Sequence, residues 1–171
     1  MTGIRDAIAG ASAYLKDHPE EARYTDSPAI ARLASGLRVV TTGPNGESVE
    51  SDMVAAVGGS GSAPSPGWLL RAAEASCVAT LIAMRAAQLD KVIRSLEVVV
   101  DSVSDDRGIL GIDGSVPAAP LSIDILVRAA FEDAGTDEAT AIVDWAVEHC
   151  PVVDAVRRAV PVNVRIEPGA S

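Results

Sequence analysis

The sequence predicts an α+β fold, in which strands come in consecutive pairs between helices. Two segments rich in β-branched residues, 37–42 and 48–57, are separated only by a turn signal, and a second such pair covers 96–103 and 122–130. Long helical patterns over 66–89 and 136–150 follow the two pairs. No internal repeat and no regular strand–helix–strand alternation occurs, so a parallel α/β sheet is not expected.

Composition narrows the classes of function. The 171 residues are most simply one domain, with a core rich in Val, Ala, Leu and Ile and only one Phe. The net charge of −10 argues against a nucleic-acid partner, because such binding depends on cationic contacts to phosphate. No uncharged apolar run of membrane-spanning length and no signal-peptide pattern is found, so we expect a cytoplasmic protein with no membrane partner.

The N-terminal part of the chain is predicted to be a helical extension covering residues 1–35. Residues 3–17 have an amphipathic pattern with Ile4, Ile8 and Leu15 on one stripe, and the pattern ends before Pro19. A helical turn is expected at 28–33. No chemistry is predicted for this extension, and residues 36–171 form the main domain.

The first half of the main domain reads as a hairpin followed by a long helix. A strand over 37–42, the turn Gly43–Gly46 and a strand over 48–57 form the hairpin. A flexible glycine-rich loop then leads to the helix over 66–89, with Ser65 as its N-cap and Pro66 as its first residue. Helical spacing places Cys77 on the most buried stripe, together with Leu70 and Leu81.

The second half reads as a strand pair followed by two helices. Strands over 96–103 and 122–130 flank a turn at 105–108. A helix begins near Thr136, its candidate cap, and runs to His149 or Cys150. A short helix over 151–160 and a last strand over 162–166 complete the chain.

The two cysteines, Cys77 and Cys150, are the main chemical candidates. A thiolate can attack a peroxide to give a sulfenic acid, which a second thiol traps as a disulfide. Free cysteine is also a common apolar packing residue, so inert packing remains the competing interpretation. His18 and His149 are the only histidines, and no close-spaced ligand pair of the kind zinc prefers is present. No metal or cofactor is expected.

Two motifs surround the cysteines. After a glycine-rich loop, the first motif runs from Ser65-Pro66 through Leu69-Leu70 and Ala72-Ala73 to Ala75-Ser76-Cys77, and the second is His149-Cys150-Pro151-Val152. Together they resemble the OsmC/Ohr family of thiol-dependent peroxidases, and the resemblance extends over about residues 36–167.

The resemblance implies an OsmC-like fold, with antiparallel or mixed sheets wrapped around long central helices in an intertwined homodimer. It also implies reduction of organic hydroperoxides, with Cys77 as the peroxidatic cysteine and Cys150 as the resolving one. A dithiol, such as a lipoylated protein, would restore the thiols.

The sequence departs from the family pattern near the expected site. The family's peroxidases have a Glu ten residues before the first cysteine, and this chain has Gly67 there. Their Arg partner is also missing, since 49–63 contains no Arg or Lys. Arg38 and Arg71 are the nearest candidate substitutes, but Arg71 is better placed to pair with Glu74 on the helix surface.

Glu74 is the third candidate accessory residue, and an unpaired carboxylate there would raise the pKa of Cys77. These departures leave a second hypothesis, a divergent non-peroxidase that binds a small apolar or thiol ligand at the dimer interface. A third hypothesis, a structural or interaction module, rests on the acidic surface and the N-terminal extension.

Overall fold

The structure is a computed structural model that describes residues 3–158 and 160–167. Five α-helices and five β-strands form within these residues. In chain order they are α1 (Ile4–Asp17), β1 (Ile30–Ser35), β2 (Arg38–Thr42), β3 (Ser48–Ser51), α2 (Pro66–Gln88), β4 (Ile93–Val103), α3 (Asp106–Ile109), β5 (Ser122–Phe131), α4 (Thr136–Glu148) and α5 (Pro151–Arg157). The predicted α+β class is confirmed, and both sheets are antiparallel.

The first sheet contains β1, β2 and β3 in sequence order. The expected helical turn at 28–33 is wrong, because this segment pairs with β2 in the register Ile30 to Thr42. Gly36 allows the tight β1–β2 turn, since its φ of 57° lies in the left-handed region. The predicted second strand ends early, at Ser51, and residues 55–57 form a 3₁₀ turn instead. The first sheet therefore joins residues of the predicted N-terminal extension to residues of the predicted main domain, on both sides of position 36.

A buried carboxylate organises the glycine-rich loop that follows the first sheet. Asp52 Oδ2 accepts hydrogen bonds from the backbone N–H and hydroxyl of both Ser60 and Ser62, and Oδ1 accepts one from the N–H of Met53. These bonds hold the pKa of Asp52 well below its usual range, because they favour the charged form. The segment predicted to be a flexible connector is therefore tied to one carboxylate.

Helix α2 is the central helix of the chain. It begins as predicted, with Pro66 in its first turn and the Ser65 hydroxyl accepting a hydrogen bond from the N–H of Trp68. Its most buried row is Glu74, Val78, Ile82 and Ala86, so the placement of Cys77 on that row is wrong. By length and composition alone α2 could cross a membrane, a test that the core helices of soluble proteins also pass.

The second sheet and the remaining helices build the core around α2. Strands β4 and β5 pair along almost their whole length, and α2 packs against β4, α4, α5 and α1. The fully buried core joins α2, α4 and α5, and its members are Val78, Ile82, Ile142, Ala146, Cys150 and Val153. Helix α4 begins after Gly135, which makes no side-chain cap, so the predicted cap at Thr136 is displaced by one residue. The turn predicted at 105–108 is the short helix α3.

Two apolar regions of the fold have no cover within the described residues. None of the described helices or other strands packs closely against the first sheet, where Leu33 is 69% exposed. Helix α5 ends at Arg157, before the predicted limit of residue 160, and the last predicted strand does not form within 160–167. Val162, Val164 and Ile166 there are each more than four-fifths exposed. Both regions have strand-like apolar patterns without an apolar partner.

Candidate functional site

The fold brings the two cysteines together, although they are far apart in the sequence. Cys77 lies in the middle of α2, whereas Cys150 follows α4 and is the N-cap residue of α5. Both are free thiols, and Cys77 packs against the buried core cluster that contains Cys150. Cys77 is partly exposed, while Cys150 has no exposed surface. Cys150, which the resemblance makes the resolving cysteine, is therefore the more deeply buried of the two.

The surroundings of Cys77 favour a neutral thiol. Burial raises the pKa of Cys77, the adjacent Cys150 thiol raises it further, and the backbone N–H of Val152 lowers it. No cation in the described part of the chain contributes to the pKa of this thiol. Val152 N–H lies at the start of α5, where a helix has free N–H groups, and its role was missed from the sequence because it is a backbone group.

A stack of three side chains ends at His149, the residue before Cys150. The guanidinium of Arg85 lies 4.8 Å from the ring centre of Trp145, and the His149 ring stacks on Trp145 at 4.2 Å. His149 Nδ1 also lies 2.7 Å from the carbonyl oxygen of Trp145. This stack fixes the last turn of α4, which leads into Cys150.

The two candidate arginines are engaged away from the cysteines. Arg38 donates to Glu50 Oε2 at 2.7 Å across the first sheet. Arg71 donates to Ser102 Oγ on β4 at 3.0 Å. The expected Arg71–Glu74 surface pair is therefore wrong, because Glu74 turns into the protein. Neither arginine contributes to the pKa of Cys77.

Glu74, the third candidate accessory residue, is unexpectedly buried, and it does not contribute to the pKa of Cys77. It is 1% exposed, and its Oε2 has no hydrogen-bond partner within the described chain. Burial raises the pKa of Glu74, because a low-dielectric surrounding disfavours the charged form. Its side chain lines a half-open cavity of about 640 Å³ between β5, α4 and α5. Periodicity could not reveal this placement, because α2 is apolar on nearly all sides.

Position 67 has room for the carboxylate that the family pattern places there. A Cβ atom added to Gly67 would meet only the Ser65 hydroxyl, at 4.0 Å. Gly67 is therefore not required by a close approach of the backbone. In the described part of the chain, no three His, Cys, Asp or Glu side chains gather as a metal site would require.

Comparisons with known proteins agree with this fold. The family model for OsmC-like protein matches residues 59–165, and comparison with curated protein sequences finds no match. Three solved structures illustrate the fold.

An OsmC-like protein from Mycoplasma pneumoniae is 12% identical with a TM-score of 0.67, covering 79% of this chain and 89% of its own. An organic hydroperoxide resistance protein from Legionella pneumophila is 20% identical with a TM-score of 0.58, covering 79% and 91%. The organic hydroperoxide resistance protein OhrB of Bacillus subtilis is 21% identical with a TM-score of 0.51, covering 78% and 91%.

Proposed function

This chain belongs to the family of OsmC-like proteins, and we propose that it reduces organic hydroperoxides through Cys77 and Cys150. The observation that carries the proposal is the packing of Cys77 on α2 against the core cluster that contains Cys150 at the α4–α5 junction. Hydroperoxide resistance proteins among the structural neighbours give the proposal its substrate class.

The exposure of the two thiols supports the roles that we propose for them. Cys77, which is partly exposed, attacks the peroxide as its thiolate, and the O–O bond breaks. Cys77 becomes a sulfenic acid, and the departing alkoxide takes up a proton to leave as an alcohol. The buried Cys150 thiol then attacks the Cys77 sulfur, forming a disulfide and releasing water. A dithiol reductant restores both thiols by two exchange steps and is itself oxidised to a disulfide.

We also propose that the working form is an intertwined homodimer. The uncovered first sheet and the exposed Val162, Val164 and Ile166 offer apolar surface that a second copy would bury. A second copy is also the most direct source for a cation near Cys77. Light scattering after size-exclusion chromatography tests this proposal, because a mass near twice 17.5 kDa is expected and a monomer would contradict it.

One observation favours a second candidate function. The raised pKa of Cys77 is the opposite of what an activated peroxidatic thiol requires, and Gly67 replaces the family's carboxylate. A divergent member with this site would bind a small apolar or thiol ligand at the dimer interface and leave peroxides intact. Both candidates place the protein in a reducing compartment, where two free thiols persist, and we propose the cytoplasm.

Stopped-flow measurement of peroxide consumption separates the two candidates. The reduced native protein is mixed with cumene hydroperoxide or hydrogen peroxide, with a lipoyl dithiol as reductant. We expect consumption of cumene hydroperoxide by the native chain and none by Cys77→Ser. Cys150→Ala should complete one turnover and accumulate a Cys77 sulfenic acid that dimedone traps. Alanine is chosen because a serine hydroxyl would be buried in the apolar core at position 150.

The possible results distinguish the candidates without overlap. If the native protein consumes no peroxide, the peroxidase proposal is wrong and the divergent binder is favoured. If Cys77→Ser consumes peroxide as fast as the native protein, the assignment of Cys77 is wrong. A titration of the Cys77 thiol in the native assembly completes the comparison, since a peroxidase needs a depressed pKa there.

A further inference from the structure

The cavity beside Glu74 has the composition of a ligand site. Seven Ile and Val side chains from β5, α4 and α5 line it, and it contains no aromatic ring. Its volume of about 640 Å³ lies within the usual range for small-molecule sites, about 300–1,000 Å³. The Glu74 carboxyl is the buried polar group among these aliphatic walls. Asp144, Glu148 and Arg157 also line it, and aliphatic walls combined with a few polar groups are the common design of such sites.

The unpartnered oxygen of Glu74 indicates a ligand that donates hydrogen bonds. Oε2 has almost no surface exposed to solvent and accepts no hydrogen bond from the described chain, which is a costly state for a buried polar atom. A ligand in the cavity reaches this oxygen when the Glu74 side chain turns toward it. The raised pKa of Glu74 has the same cause, because no partner offsets its burial. A bound donor would remove this penalty.

The charges at the rim of the cavity favour a cation. Asp144 and Glu148 lie there on the exposed face of α4, and no salt bridge of either is found within the described residues. Arg157 supplies one positive charge on α5, and the nearby Asp154 carboxylate partly offsets it. An anionic ligand would meet two carboxylates at the rim and a third carboxyl inside.

We propose that this Glu74 cavity binds a primary aliphatic amine as its ammonium ion, with the ammonium group against Glu74 and the alkyl chain against the Ile and Val walls. An ammonium ion supplies three donors and the charge that an ionised Glu74 needs. This site is separate from the thiol chemistry, because Cys77 is not among the residues that line the cavity.

Three probes with the same alkyl chain test the proposal by titration calorimetry at neutral pH. They are hexylammonium, 1-hexanol and hexanoate, which differ only in the head group. We expect hexylammonium to bind at least about tenfold more tightly than the other two, the ratio that one charge-assisted hydrogen bond supplies. Glu74→Gln should abolish this preference, while the matched exposed change Glu20→Gln should leave it intact. Cys77→Ser should bind like the native protein.

Methyl NMR of the native protein locates the probe without any substitution. Hexylammonium should shift the methyl signals of Ile123, Ile125 and Val153, which line the cavity, and leave Ile4 on α1 unchanged. The proposal is overturned if hexylammonium does not bind at millimolar concentration, or if the three probes bind equally. It is also overturned if the preference survives in Glu74→Gln or if the shifted methyls lie outside the cavity.

Discussion

Oxidation of the two thiols should produce a large, measurable gain in stability. The change is treatment of the reduced protein with one equivalent of cumene hydroperoxide, which should join Cys77 to Cys150. The closed loop would contain about 74 residues, and restricting it in the unfolded chain corresponds to about 4.4 kcal/mol at 25 °C. Native-state strain reduces such gains, so we expect about 2–4 kcal/mol.

The assay combines thermal unfolding with a count of thiols. For a chain of this size, a gain of 2–4 kcal/mol corresponds to a rise in Tm of roughly 4–16 °C. The number of reactive thiols in the unfolded protein should fall from two to none, and peptide mapping should recover the cross-linked pair. Cys77→Ala and Cys150→Ala are the matched controls, because neither can close the loop.

Two results would refute the reasoning. A cross-link that forms between chains rather than within one would mean that the thiols do not face each other in solution as described. A within-chain disulfide that lowers the Tm would mean that the core around Cys150 must be disrupted to bring the sulfurs into bonding distance.

Three further predictions concern carboxylates and the start of α2. Glu74→Gln should raise the free energy of unfolding at neutral pH by about 1.4 kcal/mol for each unit by which burial raises the pKa of Glu74. The gain should vanish below the ordinary pKa of 4.5, because the carboxyl is then protonated in both the folded and the unfolded state. Urea unfolding at several pH values measures this gain, and a gain that grows in acid would contradict the prediction. Asp52→Asn should lower the free energy of unfolding at neutral pH, because the pKa of Asp52 is depressed in the folded state. The stabilisation by the Asp52 carboxylate is present above pH 3.8 and is lost as the pH falls through the folded-state pKa. The urea midpoint should therefore drop at neutral pH, and an unchanged midpoint would mean that the hydrogen bonds from Ser60 and Ser62 do not hold the loop. Gly67→Glu should raise the free energy of unfolding by about 1 kcal/mol, because the position has open space and an acidic residue in the first turn interacts favourably with the helix dipole. Thermal unfolding measures this, and a lower Tm would show that the space is filled in the native assembly.

The features predictable from the sequence were those set by local chemistry. The start of α2 follows from Ser65 and Pro66, because capping and the fixed φ of proline act within one turn. The β2–β3 hairpin follows from its turn residues in the same way. The motifs around Cys77 and Cys150 identified the family, although no local pattern could show that the two thiols meet.

The features that were missed depend on partners distant in the sequence. Residues 28–33 have helix-like spacing of Ile30 and Leu33, yet pairing with β2 makes them a strand. On α2, two neighbouring rows are both apolar, so periodicity could not decide between the row of Cys77 and that of Val78. The burial of Glu74 was missed because a charged residue is normally assigned to the surface.

The predicted strand over 162–166 shows the opposite situation, because its local pattern is present but the strand does not form. Alternation of Val162, Val164 and Ile166 predicted it, but a strand needs a neighbour to supply its hydrogen bonds. No other strand pairs with it in the described part of the chain, so the alternating side chains remain exposed. An alternating pattern therefore predicts a strand only where a neighbouring strand is present to pair with it.

The stack of Arg85, Trp145 and His149 gives the protein a built-in optical reporter. The chain has two tryptophans, and the other, Trp68, lies in the first turn of α2, so Trp68→Phe leaves a single indole beside the α4–α5 junction. Tryptophan emission responds to the distance and orientation of neighbouring charged and aromatic groups. A shift of Cys150 toward Cys77 would move the turn that carries this indole, so the redox state of the thiols could be followed by fluorescence in real time without a label.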